Sequence, residues 1–167
     1  IMIPCSFYKP YDPPQDEFYR RINELRKKTV DSKFITVSVP LALEPEEYWS
    51  FQWRGFNLIY DCPFFPWIEK FGYEWDEKAA NKVILKLKSV VDRFFERNRN
   101  KINEAIAFLL PNSDELKLVE KHVGYIVPKQ NLTLEVSYDN NTSEIYCNPV
   151  IWKSFEKILR DLKLLEG

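Results

Sequence analysis

The chain has 167 residues with 24 basic and 25 acidic side chains, a net charge of -1, so no whole-chain field drives it toward nucleic acid or anionic membrane. It is 45% hydrophobic and 16% aromatic, too rich in core-forming residues for a disordered chain and long enough for one domain with its own core. No apolar run approaches the roughly 18 residues of a membrane span, and no basic region precedes the short apolar start, so neither a membrane partner nor a leader is expected.

Ile1 to Ile3 reads as a short strand stopped by Pro4. Asp16 to Lys28 reads as a helix, with Phe18, Ile22 and Leu25 on one face and Arg26, Lys27 and Lys28 at its negative end. Phe34 to Val39 is β-branched and closed by Pro40, which predicts a strand. Glu44 to Trp49 starts a short helix with Pro45 in its first turn. Phe56 to Tyr60 is a third strand, and the aromatic stretch from Phe64 to Trp75 is a packed loop.

Asp76 to Asn98 is the clearest helix. Asp76 caps it, and Ala80, Val83, Ile84, Leu87, Val90, Val91, Phe94 and Phe95 recur at helical spacing. Its lysines and arginines (Lys78, Lys82, Lys86, Lys88, Arg93) read as a solvated face. Ala105 to Leu110 is a continuously apolar strand, expected to be buried on both faces. Ser113 caps a short helix to His122, and Val123 to Val127 is a strand. Leu132 to Tyr138 alternates, Asp139 to Asn141 is a turn, and Glu144 to Cys147 returns as a C-terminal hairpin. Asn148 caps a last helix with Pro149 at its first position and Trp152, Phe155, Ile158, Leu159 and Leu162 inward. Alternating strands and long helices predict a single α/β domain with a mainly parallel sheet flanked by helices.

In such sheets ligands sit beyond the carboxyl ends of the strands. The loop after the first strand, PCSFYKPYDPP, is the richest of these ends. Cys5 is a nucleophile once ionised, and a cation such as Lys9 lowers a thiol's pKa. Tyr11 offers a hydrogen bond, while Pro10, Pro13 and Pro14 stiffen the backbone. Ser6 belongs to the same loop; Ser38 ends the second strand, and Tyr60 and Asp61 end the third, so these side chains converge if the strands are parallel neighbours. Asp61 is then a base or the partner of Lys9. Cys62 and Cys147 read as structural, and the single His122 as a surface residue rather than a catalyst. Three widely spaced cysteines fit neither a disulfide framework nor a metal site, and point to a reducing, cytoplasmic compartment. On the same reading Asn131-Leu132-Thr133 and Asn140-Asn141-Thr142 match the glycosylation pattern by chance.

PCSFYKPY resembles the PC-x3-KPY signature of the archaeosine synthase family, archaeal transfer-RNA-modifying proteins related to tRNA-guanine transglycosylases. SVPLALEPEEYW is similar to that family's second segment, IYDCP to its Tyr-Asp-x-Pro strand end, and WDEKAANKVILKLKSVVDRFF to its long helix, over about residues 1 to 120. The resemblance implies a uracil-DNA-glycosylase-like three-layer sandwich. It also implies addition of an amine, lysine in the family reaction, to the nitrile of a 7-cyano-7-deazaguanine base in tRNA, without a cofactor or metal. Cys5 and Asp61 are then the catalytic candidates, with Ser6, Lys9, Pro10, Tyr11, Ser38 and Tyr60 at the substrate. Where the family carries a Ser and a His, this chain has Pro14 and Glu17, and the family's RNA-binding module is absent from the sequence given. A partner chain is therefore expected to bring the tRNA. The alternative is a non-catalytic binding or assembly subunit of a tRNA-modifying complex.

Overall fold

The computed structural model describes residues 1–5, 17–39, 41–49, 51–58, 72, 74, 76–129 and 142–165. Its centre is a five-stranded sheet. Strand β1 (Met2–Pro4) pairs in parallel with β2 (Ile35–Ser38) on one side and β6 (Ile106–Phe108) on the other. β7 (Tyr125–Val127) extends the sheet in parallel beyond β6, and β3 (Ala42–Pro45) closes the opposite edge antiparallel to β2. The spatial order is β3-β2-β1-β6-β7, so the four parallel strands run second, first, third, fourth in chain order.

Helices cover both faces. α1 (Glu17–Arg26), α4 (Thr142–Cys147) and α5 (Pro149–Asp161) lie on one, and α2 (Glu77–Asn98) and α3 (Asp114–Val119) on the other. Strand alternation splits the core accordingly. Ile3, Ile106 and Phe108 join Phe18, Tyr19, Ile22, Tyr146, Ile151, Phe155 and Leu159, whereas Met2, Val37, Ala107 and Leu109 join Leu87, Val91, Leu116 and Val119. β1 and β6 thus feed both cores, which for β6 is what its unbroken apolar run predicts. Phe108 is the aromatic hub of the first core. It stacks on Phe155 at 4.1 Å and meets Tyr146 edge-on at 5.1 Å.

The caps match the sequence. Asp76 accepts from the backbone N–H groups of Lys78 and Ala79, Ser113 from Leu116, and Asn148 from Val150. Three expectations are corrected. The segment before Trp49 is first a strand, β3, and only then a 3-10 turn over Glu46–Tyr48. Ala42-Leu-Glu-Pro has no β-branched residue to announce a strand, and the β2 backbone imposes one on it. The strand at Phe56 is not a third member of the parallel sheet. β5 (Phe56–Leu58) pairs antiparallel with β4 (Phe51–Trp53) in a separate hairpin. Arg54 and Gly55, both at positive φ (49° and 81°), make its two-residue turn. Finally, Glu144 to Cys147 does not return as a hairpin arm but lies in α4, because Ile145 and Tyr146 fill the first core from a helical turn. The expected partner strand and turn (132–141) lie outside the described residues.

Candidate functional site

The connections from β1 and β6 diverge. The β1 chain leaves through α1 to β2, and the β6 chain leaves through α3 to β7 on the other side. The carboxyl ends of β1 and β6 therefore flank the switch point of the sheet, where this architecture opens a crevice. Cys5 is the first residue beyond β1. Its N–H donates to the Val37 carbonyl at 3.1 Å, which continues the parallel ladder by one step and fixes where the side chain emerges. Cys5 is half-buried against the first core. Ser38 is the adjoining strand end, and it is 2% exposed.

Two tyrosines not singled out from the sequence anchor this rim. Tyr19, fully buried on α1, donates its hydroxyl to the Pro4 carbonyl at 2.6 Å, immediately before Cys5. Tyr146 on α4 accepts the Leu110 N–H at 2.9 Å just past β6. Tyr19 was detectable: a tyrosine on the apolar face of a helix needs a partner for its hydroxyl. Tyr146 was hidden by the hairpin reading. Between them the β6 chain turns over Leu110–Ser113, with Pro111 second and Asn112 third at φ 64°. That pairing is the type II pattern, and asparagine tolerates the left-handed position.

Glu17, in the first turn of α1, is exposed and held by Arg21 at 2.6 Å. The same guanidinium donates to the Cys147 carbonyl at 3.1 Å and lies 5.6 Å from the Trp152 ring centre, which locks α1 to α4 and α5. Of the candidates read from sequence, Cys5 and Ser38 leave neighbouring strands at one edge. Ser6, Lys9, Pro10, Tyr11, Tyr60 and Asp61 lie outside the described residues. The expectation that the first and third strands are parallel neighbours is corrected: β1 lies between β2 and β6, and β5 pairs with β4; the tip of the third strand, at Tyr60 and Asp61, lies outside the described residues.

The opposite rim holds an open groove of about 450 Å³ between the end of α2 and the starts of β6 and β7. His122 lies in it, stacked on Phe95 at 4.3 Å with its Nε2 2.7 Å from Asp92 Oδ1. Lys121 Nζ reaches the same oxygen at 2.7 Å. Lys121, followed by His122, holds the Asp92 carboxyl below the ordinary carboxylate range. This cluster ties α2 to the turn after α3.

Among the described residues no helix is long and apolar enough to cross a membrane, and no group of three or more His, Cys, Asp or Glu is placed to hold a metal ion. No protein-family model matches the chain, and no match is found among curated proteins or solved structures.

Proposed function

We propose that the chain is a divergent relative of the archaeosine synthase catalytic domain, with a uracil-DNA-glycosylase-like sandwich, and that Cys5 attacks the nitrile of a 7-cyano-7-deazaguanine base in tRNA. One observation carries the reading: the PC-x3-KPY stretch begins at the carboxyl end of the central strand β1, beside the switch point of the sheet. A flat heterocycle fits a crevice of that kind.

The chemistry balances without a redox partner. The Cys5 thiolate adds to the nitrile carbon, and the nitrogen takes a proton, giving a thioimidate. The amine of lysine then adds to the same carbon, loses a proton, and expels the thiolate to leave an amidine. Covalent catalysis of this kind divides one high barrier into two lower ones. Asp61 and Lys9 are assigned the proton transfer and the activation of the thiol, and Tyr11 the contact to the base; Ser38, buried at this rim, is assigned no contact.

The test is incubation with tRNA bearing the cyano base, with and without lysine. The expected outcome is a base heavier by one lysine. Without lysine, the protein carries an adduct that Cys5→Ala abolishes. No adduct on either molecule removes the catalytic reading. The second reading, a non-catalytic subunit of a tRNA-modifying complex, is favoured by Glu17. It occupies the family's His position, and its carboxylate is taken up by Arg21. On that reading Cys5→Ala leaves partner and RNA affinity unchanged.

A further inference from the structure

The geometry points to the outer face of α2 as a binding surface for the phosphate backbone of RNA. Lys78, Lys82, Lys86, Arg93 and Arg97 are all exposed on this one helix. At about 3.6 residues per turn they fall within an arc of roughly 100°, opposite the buried Leu87 and Val91. One acid, Glu96, shares the arc. The stripe from Lys78 to Arg97 is roughly 28 Å long at about 1.5 Å per residue.

What separates this stripe from an ordinary solvated face is its lack of internal pairing. α1, α3 and α5 each carry an ion pair at three or four residues' spacing: Glu17 with Arg21, Asp114 with Lys117, Glu156 with Arg160. No ion pair joins two residues of α2, the longest helix, and none of the five cations bridges to a described residue. Instead Lys78 faces Lys82, Lys82 faces Lys86, and Arg93 faces Arg97, each four apart, an arrangement that weakens a helix on its own. Stability does not call for it; a polyanion does. An anionic membrane is the poorer fit, because a helix lying on a bilayer inserts an apolar face, and that of α2 is committed to the core.

The placement also suits the other rim. The last turn of α2 lines the groove at the starts of β6 and β7, so its first turn lies toward the edge that carries Cys5. An RNA along α2 is thereby directed to that edge. The choice of RNA over another polyanion rests on the proposed function; the charge pattern does not. This chain then contacts RNA itself rather than relying wholly on a partner.

The experiment is fluorescence anisotropy of the whole protein with an unmodified tRNA transcript, from 50 to 250 mM salt. Binding is expected to weaken with salt, with a log–log slope of about 4 to 5 if all five cations meet phosphates of a duplex. K82E/K86E/R93E is expected to weaken binding at least about 100-fold and to lower the slope by about 3. The control K27E/K153E/K157E makes the same change in net charge off the stripe and is expected to shift affinity less than about fivefold. The milder K82Q/K86Q/R93Q, with an unchanged circular dichroism spectrum, guards against misfolding and is expected to lose affinity in the same direction. Wild-type affinity in the α2 variants, equal losses in the control, no tRNA binding at 50 mM salt, or binding to phosphatidylserine vesicles but not to tRNA each overturns the proposal. The transcript carries no cyano base and no lysine is added, so failure of the nitrile chemistry and failure of the RNA surface are read separately.

Discussion

Replacing Tyr19 by Phe removes a single oxygen and tests whether the carboxyl end of β1 is held from the helix layer. The ring keeps its place: Phe18 meets it edge-on at 5.3 Å and Trp49 at 5.9 Å, and neither contact uses the hydroxyl. Among the described residues the loss falls on two oxygens. The Pro4 carbonyl gives up a 2.6 Å hydrogen bond, and the fully buried Thr36 hydroxyl loses a neighbour at 3.4 Å. Stranding a buried acceptor costs about 1–3 kcal/mol. Pro4 is only half-buried, which sets the cost toward the lower part of that range, at about 1–2 kcal/mol. At roughly 2–4 °C per kcal/mol for a chain of this size, the melting temperature should fall by roughly 2–8 °C in a calorimetric scan. Cys5 follows Pro4, so the released strand end should also speed labelling of Cys5 by a disulfide reagent in a Cys62→Ser, Cys147→Ser background. A melting temperature within about 1 °C of the parent, a loss of roughly 0.5 kcal/mol or less, with an unchanged labelling rate would refute the anchoring role.

Phe108→Ala should cost about 3–5 kcal/mol in urea unfolding, because it empties the site where Phe155, Tyr146, Trp152 and Phe18 converge, and Phe108→Leu should recover part of that. A loss under about 1 kcal/mol would mean the first core collapses into the gap. Glu115→Gln addresses a carboxyl whose pKa burial raises. The native state then holds its proton to higher pH than the unfolded chain, so stability falls as pH rises from the ordinary carboxylate range through the raised value. The Gln variant should flatten that decline and exceed the parent at pH 7 in denaturant titrations; matching pH profiles would remove the burial argument.

The elements visible in the sequence were those whose own residues decide their form. α2 and α5 carry apolar repeats of period near 3.6 with capping residues in place, and β6 is apolar at every position, so its burial on both faces followed. β3 escaped because Ala42 to Pro45 has no strand preference of its own; the unpaired edge of β2 recruits it. β5 misled because a strand can be recognised locally while its partner cannot: the Arg54-Gly55 turn folds it back on β4. At the candidate site, Cys5 was legible as a residue following a buried strand. Tyr19 showed only as a hydroxyl in need of a partner, and the partners of Tyr19 and Tyr146, the Pro4 carbonyl and the Leu110 N–H, lie across large sequence separations.

The position of β1 in the sheet gives the opening motif its weight. A cysteine after an edge strand looks onto solvent on one side and has only one neighbouring strand end to share a ligand with. β1 has two, β2 and β6, and the chain leaves β1 and β6 in opposite directions. That divergence keeps a crossover from covering the gap between them. The motif was recognised from residue types alone, and the switch point from backbone pairing alone. Neither observation depends on the other, yet both select Cys5. The charge of the α2 stripe is read without the motif, and the order of the elements sets its first turn toward the same edge.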